Sequence, residues 1–325
     1  MKNNSWMLIA MAAGALSAIA FLGIIAPSVV SIVMFYLAAA PLFMAGLAFG
    51  APAALLGVVS GFALIALVLN LKAAAFFAVA VGIAPVILVH LASQWRQASG
   101  GPEGEATGED GREWYPEGRL LLWTAFMGGT LMSITLLMTG PGIGAIEANM
   151  GRMATQMLAL SGAAGELKPE QLAELKTFMV RATPLVSTAF WMLAMLGNFW
   201  LAAVVVKAFG YEMRPWAPFW RLTFHPRAMI ALAIASFASF LPGVFGLIGS
   251  VFAVALMSAF AILGLAVMHA LTLGNPWRNA LLGMLYAALL FLNWLLALPL
   301  IVLALADLSF GLRQRYFARN PQVKP

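Results

Sequence analysis

The sequence contains no cysteine and, from Asn3 to Leu71, no aspartate, glutamate, lysine or arginine. Without cysteine, a disulfide framework, a thiolate metal site and a thiol nucleophile are excluded. The uncharged stretch far exceeds the roughly 20 apolar residues that cross a bilayer as one helix. Charged residues make up only 9% of the 325 residues, against about 25% in a soluble domain. Residues 1–325 are therefore expected to form a single integral membrane domain.

The chain is also poor in the features that would link its net charge of +6 to nucleic acid. It has no known reader motif and no interleaving of aromatic and basic residues of the kind that binds bases. Basic loops on the cytoplasmic side of a membrane protein explain the excess of positive charge. We therefore expect membrane lipids as partners and no nucleic acid.

The apolar runs predict an all-α fold, a polytopic transmembrane helical bundle of eight to ten spans. The candidate spans are residues 6–26, 29–50, 52–71, 73–95, 118–139, 184–207, 228–245, 247–271 and 278–306. Pro41 lies inside the second run and should kink it, because proline removes a backbone donor. The basic C-terminal tail and the basic segment 211–227 favour a cytoplasmic position for both termini, which requires an even number of spans. The count becomes even if 228–245 is re-entrant or otherwise short of a full span, or if 278–310 is a bent pair.

Two segments between spans differ from the rest. Residues 98–118 hold half of the twelve acids and recurring glycine, a composition that predicts a flexible acidic loop. Residues 141–182 show apolar residues at alternating spacings of three and four, which predicts an amphipathic helical hairpin between spans five and six. This hairpin either packs against the spans or forms a lid over a cavity.

Small and polar residues within the spans are the candidates for a ligand cavity. Two G-x-x-x-G pairs allow close helix packing, and a kinked face of small residues would also leave room for a ligand. Amides inside a span form interhelical hydrogen bonds or contact a polar group of a ligand. The candidate cavity residues are Gly46, Gly50, Gly57, Gly61, Asn198 and Asn293.

Residues for catalysis or metal binding are sparse. The histidines at 90, 225 and 269 are far apart in sequence and form no H-x-x-x-H pattern, whereas a metal site needs three or four converging ligands. Asp307 is the one acid associated with the end of a span, so no serine–histidine–acid set is indicated. We expect no enzymatic activity, no metal and no cofactor.

The C-terminal run LALADLSFGLRQRY, residues 303–316, carries a resemblance. It resembles the closing motif of the YybS-like uncharacterised bacterial membrane proteins, a domain-of-unknown-function family in which a final span ends in Asp, then aromatic residues, then Arg-x-Arg. The matching residues are Asp307, Phe310, Arg313 and Arg315. The resemblance extends to GLAVMHALTLG at 264–274, while Ala304 and Gly311 depart from the family pattern. The apolar, glycine-rich design is similar to the substrate-capture subunits of vitamin transporters.

The tail motif allows two roles. Asp307 is expected to pair with Arg313 or Arg315 across about two helical turns. As an exposed pair it would contribute only about 0–1 kcal/mol and would anchor the tail to the membrane surface, or the motif would dock a cytoplasmic partner protein.

These observations lead to two hypotheses for function. The first is a transport-related binding protein in the bacterial cytoplasmic membrane that takes a small apolar or amphipathic molecule or a lipid. The alternative is a non-transporting membrane scaffold whose loops dock partners.

Overall fold

The computed structural model describes residues 5–25, 28–97, 111–140, 142–160, 162, 168–211, 213–292 and 294–322, and these residues are almost entirely helical. The helices are α1 Ser5–Leu22, α2 Val29–Tyr36, α3 Ala40–Phe49, α4 Ala51–Val68, α5 Leu71–Phe77, α6 Ile83–Ala92, α7 Glu117–Thr139, α8 Ile143–Leu160, α9 Pro169–Ala208, α10 Arg227–Ala238, α11 Gly243–Leu271, α12 Arg278–Leu292, α13 Trp294–Phe310 and α14 Leu312–Arg319. Two short strands, β1 Trp95–Gln97 and β2 Arg112–Trp114, pair antiparallel.

The fold is an all-α, polytopic helical membrane protein, as the sequence predicts. Within the described residues, seven helical segments are long and apolar enough to cross a membrane, or eight if one bent pair counts as a span. The run 228–245 does not form a single long helix, since it contains the 12-residue α10 followed by a turn. In the run 278–306, the described residues form α12 up to Leu292 and α13 from Trp294.

The helices form two compact units. The first comprises Met1–Thr124 and Met192–Ala217, and the second comprises Ala125–Trp191 and Pro218–Pro325. The long helices α7 and α9 contribute residues to both units.

In the first unit, the second span is interrupted near Pro41, where the sequence predicts a kink. The second span, Val29–Phe49, breaks at residues 37–39, and α3 then begins with Pro41 in its first turn. Because proline has no N–H and its ring displaces the carbonyl four residues earlier, the α2 helix cannot continue through Pro41. Gly50 alone joins α3 to α4 with φ +92°, a backbone conformation that glycine adopts without steric cost.

The closest helix approach in the first unit joins α1 to α4. A Cβ atom on Gly14 would lie 2.0 Å from the carbonyl oxygen of Gly57, and one on Gly61 would lie 2.8 Å from the carbonyl oxygen of Gly14. Ser60 reinforces this contact by donating from Oγ to the Met11 carbonyl oxygen at 3.0 Å. Glycine at these positions therefore lets two backbones touch, as in other membrane helix pairs.

In the second unit, α11 packs against α10 and α13. A Cβ atom on Gly264 would lie 1.9 Å from the Leu300 carbonyl oxygen, so α11 and α13 are in backbone contact. After α13, Gly311 adopts a left-handed φ of +64°. The chain bends there by 72° into α14, so the tail leaves the direction of the preceding helix.

The predicted hairpin at 141–182 differs from the observed structure in one respect. α8 and the start of α9 do pack together, since a Cβ atom on Gly151 would lie 3.3 Å from Cε of Lys176. However, α9 has no break at residue 182 and runs for 40 residues through Pro184. At 1.5 Å per residue it is about 60 Å long, so its first turns extend beyond a hydrocarbon core of about 30 Å.

The buried face of α8 packs against the spans of the second unit. Ile146 forms a core cluster with Leu136 and Val251. Met153 and Met157, which belong to the apolar stripe read from the sequence, are instead 59% and 58% exposed. Packing was one of the two roles predicted for this hairpin.

Of the acidic segment 98–118, residues 98–110 lie outside the described residues. The remaining part is ordered as β2 and the first turn of α7. Trp114 faces Trp95 across the strand pair, and Arg96 forms an ion pair with Glu113. The facing tryptophans and the ion pair stabilise this end of the segment, although its composition predicts a flexible loop.

Candidate functional site

The break in the second span is held by two polar side chains of the first unit. Asn198, in α9, donates from Nδ2 to the carbonyl oxygens of Tyr36 and Ala194, both at 2.7 Å. Ser17 donates from Oγ to the carbonyl oxygen of Ala38 at 2.5 Å. The bonds to Tyr36 and Ala38 satisfy carbonyl groups that the interrupted helix leaves without partners.

Asn198 also carries an unused acceptor. The residue is 1% exposed, and its Oδ1 atom is buried without a hydrogen-bond partner. Leaving a buried acceptor unsatisfied costs about 1–3 kcal/mol. A ligand that donates an N–H or O–H to this oxygen would recover that free energy.

The candidate glycines lie against neighbouring helices. A Cβ atom on Gly46 would meet Val89 at 2.8 Å, and Cβ atoms on Gly57 and Gly61 would meet Leu42 and Phe77 at the same distance. Gly50 serves the turn between α3 and α4. The close-packing role that the G-x-x-x-G spacing also predicts is the one observed, because the small faces are filled by neighbouring helices. Asn293 lies outside the described residues.

A second polar cluster of the first unit centres on Arg214, which is 4% exposed. Its Nη2 atom lies 2.6 Å from Oε1 of Glu117, and its Nη1 atom donates to the Tyr115 carbonyl oxygen at 2.8 Å. The guanidinium also lies over the rings of Trp216 and Trp114, at 4.6 Å and 5.6 Å from their centroids. Burial lowers the pKa of Arg214, and the charge and hydrogen bond of Glu117 act in the opposite direction.

This cluster was not predicted. Glu117 and Arg214 are nearly 100 residues apart, and each looks like an ordinary charge next to a span. The available signal was the position of Arg214 between aromatic residues in the run YEMRPW. The cluster ties the segment after α9 to the start of α7, so both lie at the same end of the first unit.

The tail motif forms the polar cluster of the second unit. Asp307 is 6% exposed and accepts the backbone N–H and the Nε–H of Arg313, both at 2.9 Å. Arg313 also donates from Nη1 to the carbonyl oxygens of Trp220 and Leu222, at 3.0 Å and 2.7 Å. Gly311 enables this arrangement, since its left-handed backbone turns Arg313 back toward Asp307.

These contacts show which arginine pairs with Asp307 and whether the pair is exposed. Asp307 does pair with Arg313, whereas Arg315 is exposed. The pair is not an exposed one, because both side chains are largely buried, and the small stability contribution expected of a surface pair does not apply. The contact with the Trp220 and Leu222 carbonyl oxygens places Arg313 beside the segment that precedes α10.

Comparison of the sequence with known protein families identifies a family of predicted membrane proteins. The model for the predicted membrane protein family DUF2232 matches residues 112–308, which is 197 of the 325 residues. The chain belongs to this family. The DUF2232 match begins at β2 and ends just after Asp307, so it covers the buried acid of the tail motif. Neither a curated protein nor a solved structure matches the chain.

Within the described residues of this DUF2232 protein, no group of three or more histidine, aspartate or glutamate side chains is placed to hold a metal ion. His269, in α11, bonds through Nε2 to the Tyr286 hydroxyl at 2.8 Å. The three polar clusters are therefore the features from which a function can be argued.

Proposed function

We propose that this protein is a transport-related binding protein of the bacterial cytoplasmic membrane. Its ligand is a small apolar or amphipathic molecule, or a lipid, that offers one N–H or O–H group. The role includes no catalytic step and no cofactor. We also propose that the tail motif relates this protein to the YybS-like proteins.

The buried, unpartnered Oδ1 of Asn198 is the observation that carries the proposal. It lies beside the break at residues 37–39, near the middle of the second span. Irregular backbone at membrane depth is tolerated where it is buried in protein or lines a cavity, and broken helices supply the binding sites of many transporters. The surroundings are aromatic, since Phe199 next to Asn198 stacks edge-on with Phe43 at 5.3 Å. Apolar walls with one hydrogen-bond acceptor suit an amphipathic ligand.

The test is native mass spectrometry of the protein extracted in a mild detergent. We expect a co-purifying small molecule or lipid on the wild-type protein, and about tenfold lower occupancy in Asn198→Leu, as for the loss of a hydrogen bond worth about 1.4 kcal/mol. Ser17→Ala is the matched control, because it removes the other side-chain bond to the break and leaves the Asn198 acceptor in place. The proposal fails if Asn198→Leu retains the ligand or if Ser17→Ala loses it equally.

The alternative function is a non-transporting scaffold that docks a cytoplasmic or other partner protein. The filled glycine faces and the exposed Met153 and Met157 on α8 favour this alternative. A wild-type protein that carries no ligand in the same experiment would support it.

A further inference from the structure

We propose that the C-terminal surface of the second unit binds the phosphate headgroups of anionic lipids. This surface is the exposed side of α14, which carries Arg315 and Arg319. The inference does not rest on the Asn198 site, which belongs to the other unit.

The charge balance of this part of the chain is one-sided. Residues 218–325 contain one acid, Asp307, and seven lysine or arginine residues. Asp307 is buried and engaged by Arg313, so it neutralises no charge at the surface. Because clusters of Lys and Arg next to a membrane helix attract anionic lipids, the exposed Arg315 and Arg319 of α14 are suited to phosphate groups.

The geometry of α14 separates its side chains by role. Tyr316 donates from its hydroxyl to the Leu273 carbonyl oxygen at 2.6 Å, and Arg313 is bound to Asp307. These contacts fix one side of the helix to the second unit. Arg315 and Arg319 are exposed, and their spacing of four residues places them on one face of the helix.

Aromatic contacts also hold α14 against the segment that contains Trp220 and Arg221. The ring of Phe317 lies 6.1 Å from that of Trp220, and the Arg221 guanidinium lies 4.9 Å from the Trp220 ring centroid. Tryptophan is enriched at the level of lipid headgroups. The 72° bend at Gly311 turns α14 across the end of α13, so an amphipathic helix with a basic face lies where a membrane span ends. This position favours a lipid headgroup over a soluble protein as the occupant.

The experiment compares two lipids with identical acyl chains on delipidated protein in neutral detergent, with native mass spectrometry as the readout. We expect phosphatidylglycerol to bind more tightly than phosphatidylcholine. Each arginine near an anionic lipid surface contributes about a fivefold increase in affinity, so Arg315→Gln with Arg319→Gln should weaken phosphatidylglycerol binding about 30-fold and leave phosphatidylcholine binding unchanged.

The matched control removes the same number of charges elsewhere in the second unit. Arg152→Gln with Arg181→Gln replaces two exposed arginines of α8 and α9 and should leave phosphatidylglycerol binding unchanged. All four substitutions are at exposed positions, so the melting temperatures of both double variants should match the wild type. Equal binding of the two lipids by the wild-type protein overturns the proposal. So does unaltered phosphatidylglycerol binding in the tail variant, or an equal loss in the control.

Discussion

Replacing Asp307 by asparagine should destabilise the second unit strongly, although the side chain keeps its size. Asparagine would leave the buried guanidinium of Arg313 without its counter-ion, which lies 2.7 Å away in the native pair. Breaking a buried ion pair costs about 3–5 kcal/mol. Because Arg313 keeps its bonds to the Trp220 and Leu222 carbonyl oxygens, we expect the lower end, about 3 kcal/mol.

The measurement is thermal unfolding in detergent, followed by intrinsic tryptophan fluorescence. For a cooperative unit of 150–250 residues, 1 kcal/mol shifts Tm by about 2–4 °C, so Asp307→Asn should lower Tm by about 6–12 °C. Arg315→Gln, an exposed change on the same tail, should stay within about 0.5 kcal/mol of wild type.

A double-mutant cycle tests whether the effect belongs to the pair. Asp307→Asn combined with Arg313→Gln should cost less than the sum of the two single changes, because each single change leaves one buried group without its partner. A loss below about 1 kcal/mol for Asp307→Asn, or strictly additive losses, would refute the reasoning from the buried pair.

Three further predictions follow from close contacts and from topology. Gly14→Ala should cost about 1–3 kcal/mol, because its new Cβ meets the Gly57 carbonyl, whereas Gly197→Ala, with open space around it, should be neutral or slightly stabilising; equal melting temperatures for both would exclude a tight α1–α4 contact. Arg214→Gln should lower stability by about 2 kcal/mol, because it removes the charged hydrogen bond from the buried Arg214 to the partly exposed Glu117, and chemical denaturation showing a change under 0.5 kcal/mol would contradict this. Cysteine labelling of Gln322→Cys should occur from the cytoplasmic side and that of Gln156→Cys from the opposite side; labelling of both from one side would contradict the even span count.

The membrane fold could be predicted from the sequence because its causes are local. A bilayer demands apolar residues over the length of each span and internal satisfaction of every backbone group. Composition and run length therefore predict the all-α class and most of the spans. Pro41 ends a helix through its own covalent geometry, so that break was predictable from a single residue.

The pairing of the polar side chains depended on tertiary structure, because each pair joins residues that are far apart in the chain. No spacing rule links Asn198 to Tyr36 or Glu117 to Arg214. The G-x-x-x-G pattern favoured close packing but left a ligand cavity open as the alternative. Only the positions of Leu42, Val89 and Phe77 showed that the space beside the glycines is filled.

The tail motif depends on both the sequence and the tertiary structure. The sequence by itself determined that an acid ends the last apolar run, with arginines about two turns further on. It could not determine burial, since a helix continuing straight past Asp307 would leave the pair in water. The left-handed turn at Gly311 and the carbonyl groups of Trp220 and Leu222, over 80 residues earlier, enclose Arg313 and turn a surface pair into a buried one. The strength of an ion pair depends on the surrounding dielectric, and that surrounding is set by the tertiary structure.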